Sequence, residues 1–122
     1  DLESYNKALS YFLYSIDIDK KSDNKKDISI TLSDIAITFN KLKNMEKALF
    51  YQQKSIEIAK KYDLKAELIT SYKNLSKIYE QNKDYERALD SLKKYIDTKD
   101  KISDELNKKI TVPECIKIND KR

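Results

Sequence analysis

Apolar side chains recur every three or four residues along most of the chain, with charged and amide side chains between them. This spacing collects the apolar residues on one stripe of an amphipathic α-helix. The pattern predicts helices over residues 4–21, 27–42, 44–62, 65–81 and 85–109. In the last of these, Tyr85, Leu89 and Leu92 hold apolar repeat positions and are expected to pack in the core. We therefore predict an all-α fold, with a helical domain over residues 1–110 and a tail over residues 111–122.

The helical pattern also repeats at a fixed distance. Its middle copy, residues 44–58, reads NMEKALFYQQKSIEI, and shifts of 40 residues in either direction superpose Ala8, Ala48 and Ala88. A period between 20 and 50 residues is typical of stacked repeats, in which each unit packs only on its neighbours. Because the middle copy has a helix on each side, we expect Ala48 to be the most buried of the three alanines.

Helix ends are marked by polar residues at matching repeat positions. Ser4, Asn44 and Asp84 are predicted N-caps, since each side chain can accept a hydrogen bond from an amide of the first turn. The chain has no glycine, so we expect asparagine to take the left-handed backbone positions at the turns. The last helix is predicted to end before Pro113, because the residue before proline is disfavoured in a helix.

Composition removes several classes of function. Lysine and arginine total 25 against 21 acidic residues, and the two signs alternate along the chain, which is typical of solvated helix faces and not of a nucleic-acid site. The absence of histidine and glycine excludes histidine-activated nucleophiles, imidazole metal ligands and glycine-rich phosphate loops. We predict no catalytic activity, no cofactor and no membrane-spanning segment, and we leave the compartment open between cytoplasm and periplasm. The single cysteine, Cys115, is interpreted as an incidental thiol.

Two stretches carry a recognisable spacing of large and small residues. One reads Tyr72-x2-Leu75-Ser76-x2-Tyr79 followed by Ala88-x3-Leu92, and a weaker one reads Leu32-x2-Ile35-Ala36-x2-Phe39 followed by Ala48-x3-Gln52. Both resemble the tetratricopeptide repeat, whose paired helices cross at small residues. The chain departs from that family in its 40-residue period, where 34 is usual, and in lacking the late proline.

The resemblance implies a right-handed α-solenoid of antiparallel helix pairs, with about 2.5 repeats and a long C-terminal helix. Repeat one would contribute only its second helix, at 4–21, repeat two would span 27–62, and repeat three would span 65–103 with an extension to 110. Repeat one would then lack the helix that normally covers one face of its second helix. This uncovered face predicts upstream sequence, a swapped helix, or a homodimer through this helix.

The resemblance further implies a module that binds a protein or peptide in a concave groove lined by first helices. The predicted groove residues are Lys73, Asn74, Lys77, Thr70, Gln81, Ser33, Ile37 and Asn40. Among them, Lys73, Asn74 and Lys77 share one helix face and are similar to part of a carboxylate clamp. Asp34 opposes an acidic ligand, and solvated lysines on a helix face are the alternative interpretation.

A second function remains open at this point. Helical arrays of this kind resemble regulatory segments of bacterial sensor kinases and transcriptional regulators, in which a long last helix leads to an effector domain. The chain could therefore be a sensory or regulatory part of a larger signalling protein.

Overall fold

The computed structural model describes residues 2–109, which form five helices and no strand within that range. The helices are α1 Leu2–Ser22, α2 Lys25–Lys41, α3 Met45–Lys61, α4 Lys65–Gln81 and α5 Tyr85–Lys109. Each helix packs on the next one along the chain, and α2 also contacts α4. The fold is therefore a stack of antiparallel helical hairpins, as the repeat pattern predicts.

The four turns between the helices are copies of one another. The residues with positive φ are Asp23, Lys43, Asp63 and Lys83, spaced 20 residues apart, with φ between 53° and 63°. In the second turn, the Lys43 amide donates to the Asn40 carbonyl at 3.0 Å and the next amide donates to the Phe39 carbonyl at 2.9 Å. This pair of bonds is the Schellman motif, which satisfies carbonyls left open at a helix C-terminus.

The prediction that asparagine takes the left-handed turn positions is wrong. In the second turn, Asn44 follows the left-handed Lys43 and caps α3, where its side chain accepts a hydrogen bond from the Lys47 amide at 3.2 Å. Asn24 caps α2 in the same way, with the Asp27 amide at 3.2 Å. Asparagine contributes more here as a cap than as a left-handed residue, because its side chain satisfies an otherwise open amide.

The remaining boundary predictions have mixed outcomes. Asp84 accepts from the Arg87 amide at 3.3 Å, as predicted for a cap. The Ser4 prediction is wrong, since α1 already begins at Leu2. The fourth helix has the predicted bounds, and the fifth is continuous to Lys109. Residues 110–122, including Cys115 and the predicted tail, lie outside the described residues.

The burial of a side chain depends on whether a neighbouring helix covers its flank of the helix. Ala48 is fully buried between α2 and α4, as predicted from its central place. On the flank facing the next hairpin, Ile56 is 4% exposed, whereas its equivalent Ile96 on α5 is 47% exposed. Among residues 2–109 no helix follows α5, so this flank has no neighbour there. A shared repeat position therefore does not give a shared environment.

The predicted apolar stripe of α5 is accordingly only partly buried. Ala88 and Ser91 are buried against α4, but Leu89 and Leu92 are exposed. Tyr85, placed by the repeat pattern at a packing position, is 64% exposed. Only the flank of this stripe that faces α4 therefore belongs to the core.

A polar cluster lies where α2, α3 and α4 meet. The hydroxyls of Ser29, Ser33, Ser55 and Ser71 are all buried and hydrogen-bond to one another at 2.9–3.3 Å. Ser55 also donates to the Ser29 carbonyl at 2.7 Å. Small residues allow these three helices to approach closely, and the mutual bonds offset the cost of burying the hydroxyls.

Candidate functional site

The helices α2 and α4 lie side by side and form the walls of a groove. They run in the same direction, because contacts join their beginnings and their ends separately. Near the beginnings, Lys26 Nζ lies 3.9 Å from Glu67 Oε1. At the ends, the side-chain amide of Asn40 donates to the side-chain oxygen Oε1 of Gln81. The side-chain amide of Asn82 donates to Oδ1 of Asn40 at 3.4 Å.

The first half of the groove is an apolar depression of about 290 Å³. Its walls carry Ile30 and Ile37 from α2 and Ala66 from α4. Four polar side chains also line it: Asp34, Glu67, Thr70 and Asn74. Its floor is formed by Ser29 and Ser33, whose hydroxyls are occupied in the buried serine cluster. The depression therefore combines aliphatic walls with two carboxylates.

The two carboxylates of this depression are poorly compensated. Asp34 is half-buried, and within residues 2–109 its carboxylate has no ion pair or hydrogen bond. Burial raises the pKa of Asp34 above its usual range, because desolvation disfavours the charged form. The Glu67 side chain is only 11% exposed, and its one ion pair with residues 2–109 is the long contact with Lys26. Both groups retain the capacity to accept hydrogen bonds from a cation.

The second half of the groove is a depression of about 230 Å³ with the opposite charge. Lys41 and Lys77 line it together with the amides of Asn40 and Gln81, while Ile37 and Asn74 line both depressions. Lys77 is exposed and, in the described part of the chain, forms no ion pair. The Lys41 ammonium lies 5.9 Å from the ring centre of Tyr5 on α1, so it is shared between the groove and that ring.

Most of the groove residues predicted from the sequence face these depressions. The first depression is lined by Ile37, Thr70 and Asn74. The second is lined by Asn40, Lys77 and Gln81, and also by Ile37 and Asn74. Ser33 lies on the floor, but its hydroxyl bonds to Ser55, Ser71 and Gln52, so we assign it no ligand contact. Lys73 is exposed and lines neither depression.

Sequence reasoning missed Glu67 as a groove residue. It stands three and seven residues before Thr70 and Asn74, which is the spacing of one helix face. The signal was therefore present in the periodicity of α4. It was hidden because an acidic residue in the first turn of a helix is usually explained by the helix dipole.

Replacing Asp34 by asparagine is expected to stabilise the protein at neutral pH. The raised pKa means that the folded state favours the protonated carboxyl, so the contribution of Asp34 to stability is lost as the pH rises through its folded pKa. Asp34→Asn should therefore raise the free energy of unfolding by about 0.5 kcal/mol at pH 7, the scale of a partly exposed site. The gain should vanish below the unfolded pKa of about 3.9. Urea unfolding at the two pH values measures it, with the exposed Asp97→Asn as control. A loss of stability at pH 7 would contradict the burial effect.

Residues 2–109 show neither a candidate metal site nor a membrane-spanning helix. Residues 2–109 contain no group of three potential metal ligands of the His, Cys, Asp or Glu type. None of the helices in that range is long and apolar enough to cross a membrane.

The fold and the groove together define a helical-repeat protein built from paired antiparallel helices. A family model for the tetratricopeptide repeat matches residues 27–101, and the chain belongs to the tetratricopeptide repeat family. Repeats of this family generally mediate protein–protein interaction and are typically not enzymes. A comparison with curated proteins gave no match.

Proposed function

We propose that the chain is a protein- or peptide-binding scaffold module whose ligand lies in the groove between α2 and α4. The observation that carries the proposal is the continuity of the two depressions, which meet at Ile37 and Asn74. An extended segment can lie along such a groove without interruption. Because both walls are regular helices packed on α3, the groove is preformed, which reduces the entropy lost on binding.

The basic end supplies a contact for a ligand carboxylate. Lys77 and Asn74 are on one face of α4 and line the same depression, so an ammonium and an amide can donate to one carboxylate. Lys73 has the same charge, but it stands outside both depressions. Of the predicted set Lys73, Asn74 and Lys77, the proposal therefore keeps Asn74 and Lys77 and omits Lys73, and Lys41 adds charge from α2.

Filling the junction of the depressions should abolish binding. Peptides that bind the folded natural chain are first selected from a phage-displayed library of random octapeptides. The selected peptides are then synthesised, and their affinity is measured by fluorescence anisotropy. Ile37→Arg places a long side chain where the two depressions meet and should weaken binding at least about tenfold, or 1.4 kcal/mol. Asn107→Arg adds the same charge on α5, away from the groove, and should leave binding unchanged.

A selection that yields no peptide sensitive to Ile37→Arg would overturn the groove as the binding site. Thermal unfolding confirms that the variant is folded. If it is not folded, Asn74→Arg blocks the same junction from the α4 wall and serves in its place.

Reversing single lysine charges should distinguish the contribution of Lys77 from that of Lys73. Lys77→Glu is expected to weaken binding of groove-selected peptides that contain glutamate about tenfold, because a like charge then faces the carboxylate. Lys73→Glu makes the same change of charge one helical turn away and should have less than about a twofold effect, because Lys73 is exposed and lines neither depression. Equal losses in the two variants would favour the broader clamp that includes Lys73.

A further inference from the structure

We propose that the groove selects peptides carrying a basic and an acidic side chain about four residues apart, with the basic side chain seated in the first depression, where Asp34 and Glu67 are the available acceptors. The inference rests on the proposed function and adds the chemistry of the ligand. It assigns the first depression to a lysine or arginine side chain. The family resemblance by itself predicts only a carboxylate contact, through the lysines of α4.

The shape of the first depression fits a long aliphatic stem with a charged head. Ile30, Ile37 and Ala66 can pack against the methylene groups of such a stem. Asp34 and Glu67 line the depression from its two opposite walls, and the register of the Lys26–Glu67 and Asn40–Gln81 contacts places them about 12 Å apart along the groove, so a head group finds a carboxylate acceptor at either end of the depression. None of the residues lining the depression is aromatic, so it offers hydrogen-bond acceptors and no π-face for a quaternary ammonium.

The charges already on the protein leave this position open. Asp34 has no cationic partner among residues 2–109. Lys26 reaches Glu67 only at 3.9 Å, and its own side chain is 64% exposed. A ligand cation at Asp34 would therefore displace no protein cation, and one at Glu67 would compete only with a weak, solvated contact.

The opposite end of the groove completes the charge pattern. Lys77 and Lys41 line the second depression, where a ligand carboxylate can be held. Asp34 lies seven residues before Lys41 on α2, and Glu67 lies ten residues before Lys77 on α4. At a helical rise of about 1.5 Å per residue, the average position of the two carboxylates along the groove is therefore about 13 Å from that of the two ammonium groups. An extended peptide advances about 3.3 Å per residue, so the two charges of the ligand fall about four residues apart. Residues at positions i and i+4 of an extended chain also point to the same side, so both can face the groove.

Charge-pattern variants of one peptide test this inference. The scaffold is the tightest octapeptide selected on the natural chain, resynthesised with one lysine and one glutamate separated by one to six positions, in both orders. The charge controls are versions of the peptide with two lysines or two glutamates separated by four positions. We expect the tightest binding at a separation of three to five, and at least about tenfold weaker binding for both controls. The preferred order of the two charges gives the direction of the bound chain.

A reciprocal substitution keeps the test specific to the first depression. Asp34→Lys should invert the preference, so that the glutamate/glutamate peptide binds more tightly than the lysine/glutamate peptide. Asp97→Lys changes the net charge equally on the exposed surface of α5 and should preserve the natural preference. Similar affinities for all charge patterns, or an unchanged preference in Asp34→Lys, would overturn the inference.

The outcomes separate this inference from the proposed function. Peptides that need an unmodified Ile37 but are indifferent to charge pattern would overturn the inference alone, and groove binding would stand. A selection without any groove-dependent peptide would overturn both.

Discussion

Ile56→Ala is expected to destabilise the protein by about 2–5 kcal/mol, whereas the equivalent Ile96→Ala should cost less than about 1 kcal/mol. The two residues hold the same repeat position, but Ile56 packs with Tyr72 and Leu75 of α4 and Ile96 is largely exposed. Truncation of the first leaves a cavity that rigid neighbours fill only in part. Truncation of the second removes surface that already contacts water.

Urea unfolding followed by helical circular dichroism measures this difference. The paired design cancels the change in helix propensity, because isoleucine is replaced by alanine in the middle of a helix in both variants. Equal losses would mean that the outer flank of α5 is covered in solution, for example by a second copy of the chain. The predicted homodimer involves α1 instead, and it remains a prediction that size measurements would test separately.

Ser55→Ala is expected to cost about 1–3 kcal/mol, a large effect for the loss of one hydroxyl. The Ser55 hydroxyl joins Ser29, Ser33 and Ser71, and the whole cluster lies at most 6% exposed. Removing it leaves buried hydroxyl groups with fewer partners and no access to water. Alanine is small and favours helix, so the loss is expected in spite of a small gain in propensity.

Ser15→Ala is the matched control, since Ser15 holds the same repeat position on α1 and is more accessible. Its effect should be within about 0.5 kcal/mol of zero. Thermal unfolding of both variants gives the comparison. If Ser55→Ala were as stable as the natural chain, the hydroxyl cluster would contribute only packing volume, and its hydrogen bonds would be replaceable.

The repeat pattern predicts the helices well because each helix needs only a local stripe of apolar residues. The bounds of α4 and the continuity of α5 follow from such local signals. Which flank of a stripe is covered depends on neighbours, and no local pattern contains that information. Leu89 and Leu92 were for that reason expected in the core, although the structure exposes both.

The groove was predictable in outline and not in charge. Placing Ile37, Thr70, Asn74 and Lys77 on it needs only the face of a helix. Glu67 lies on the same face of α4, but it was not assigned to the groove because an acidic residue in the first turn of a helix is usually explained by the helix dipole. The proposed regulatory role in a larger signalling protein has no counterpart among these contacts and remains a prediction.

The identical turns described above make the array divisible into interchangeable segments. Lys43 and Lys83 have the same left-handed geometry, and each is followed by a residue that caps the next helix through its side chain. Excision or duplication of the 40 residues between them would join chain ends of matching chemistry. Such a change would leave the hydrogen bonds of the junction intact and alter only the number of stacked hairpins. Array length, and with it the length of a groove, can therefore change in whole units during evolution without a new turn having to arise.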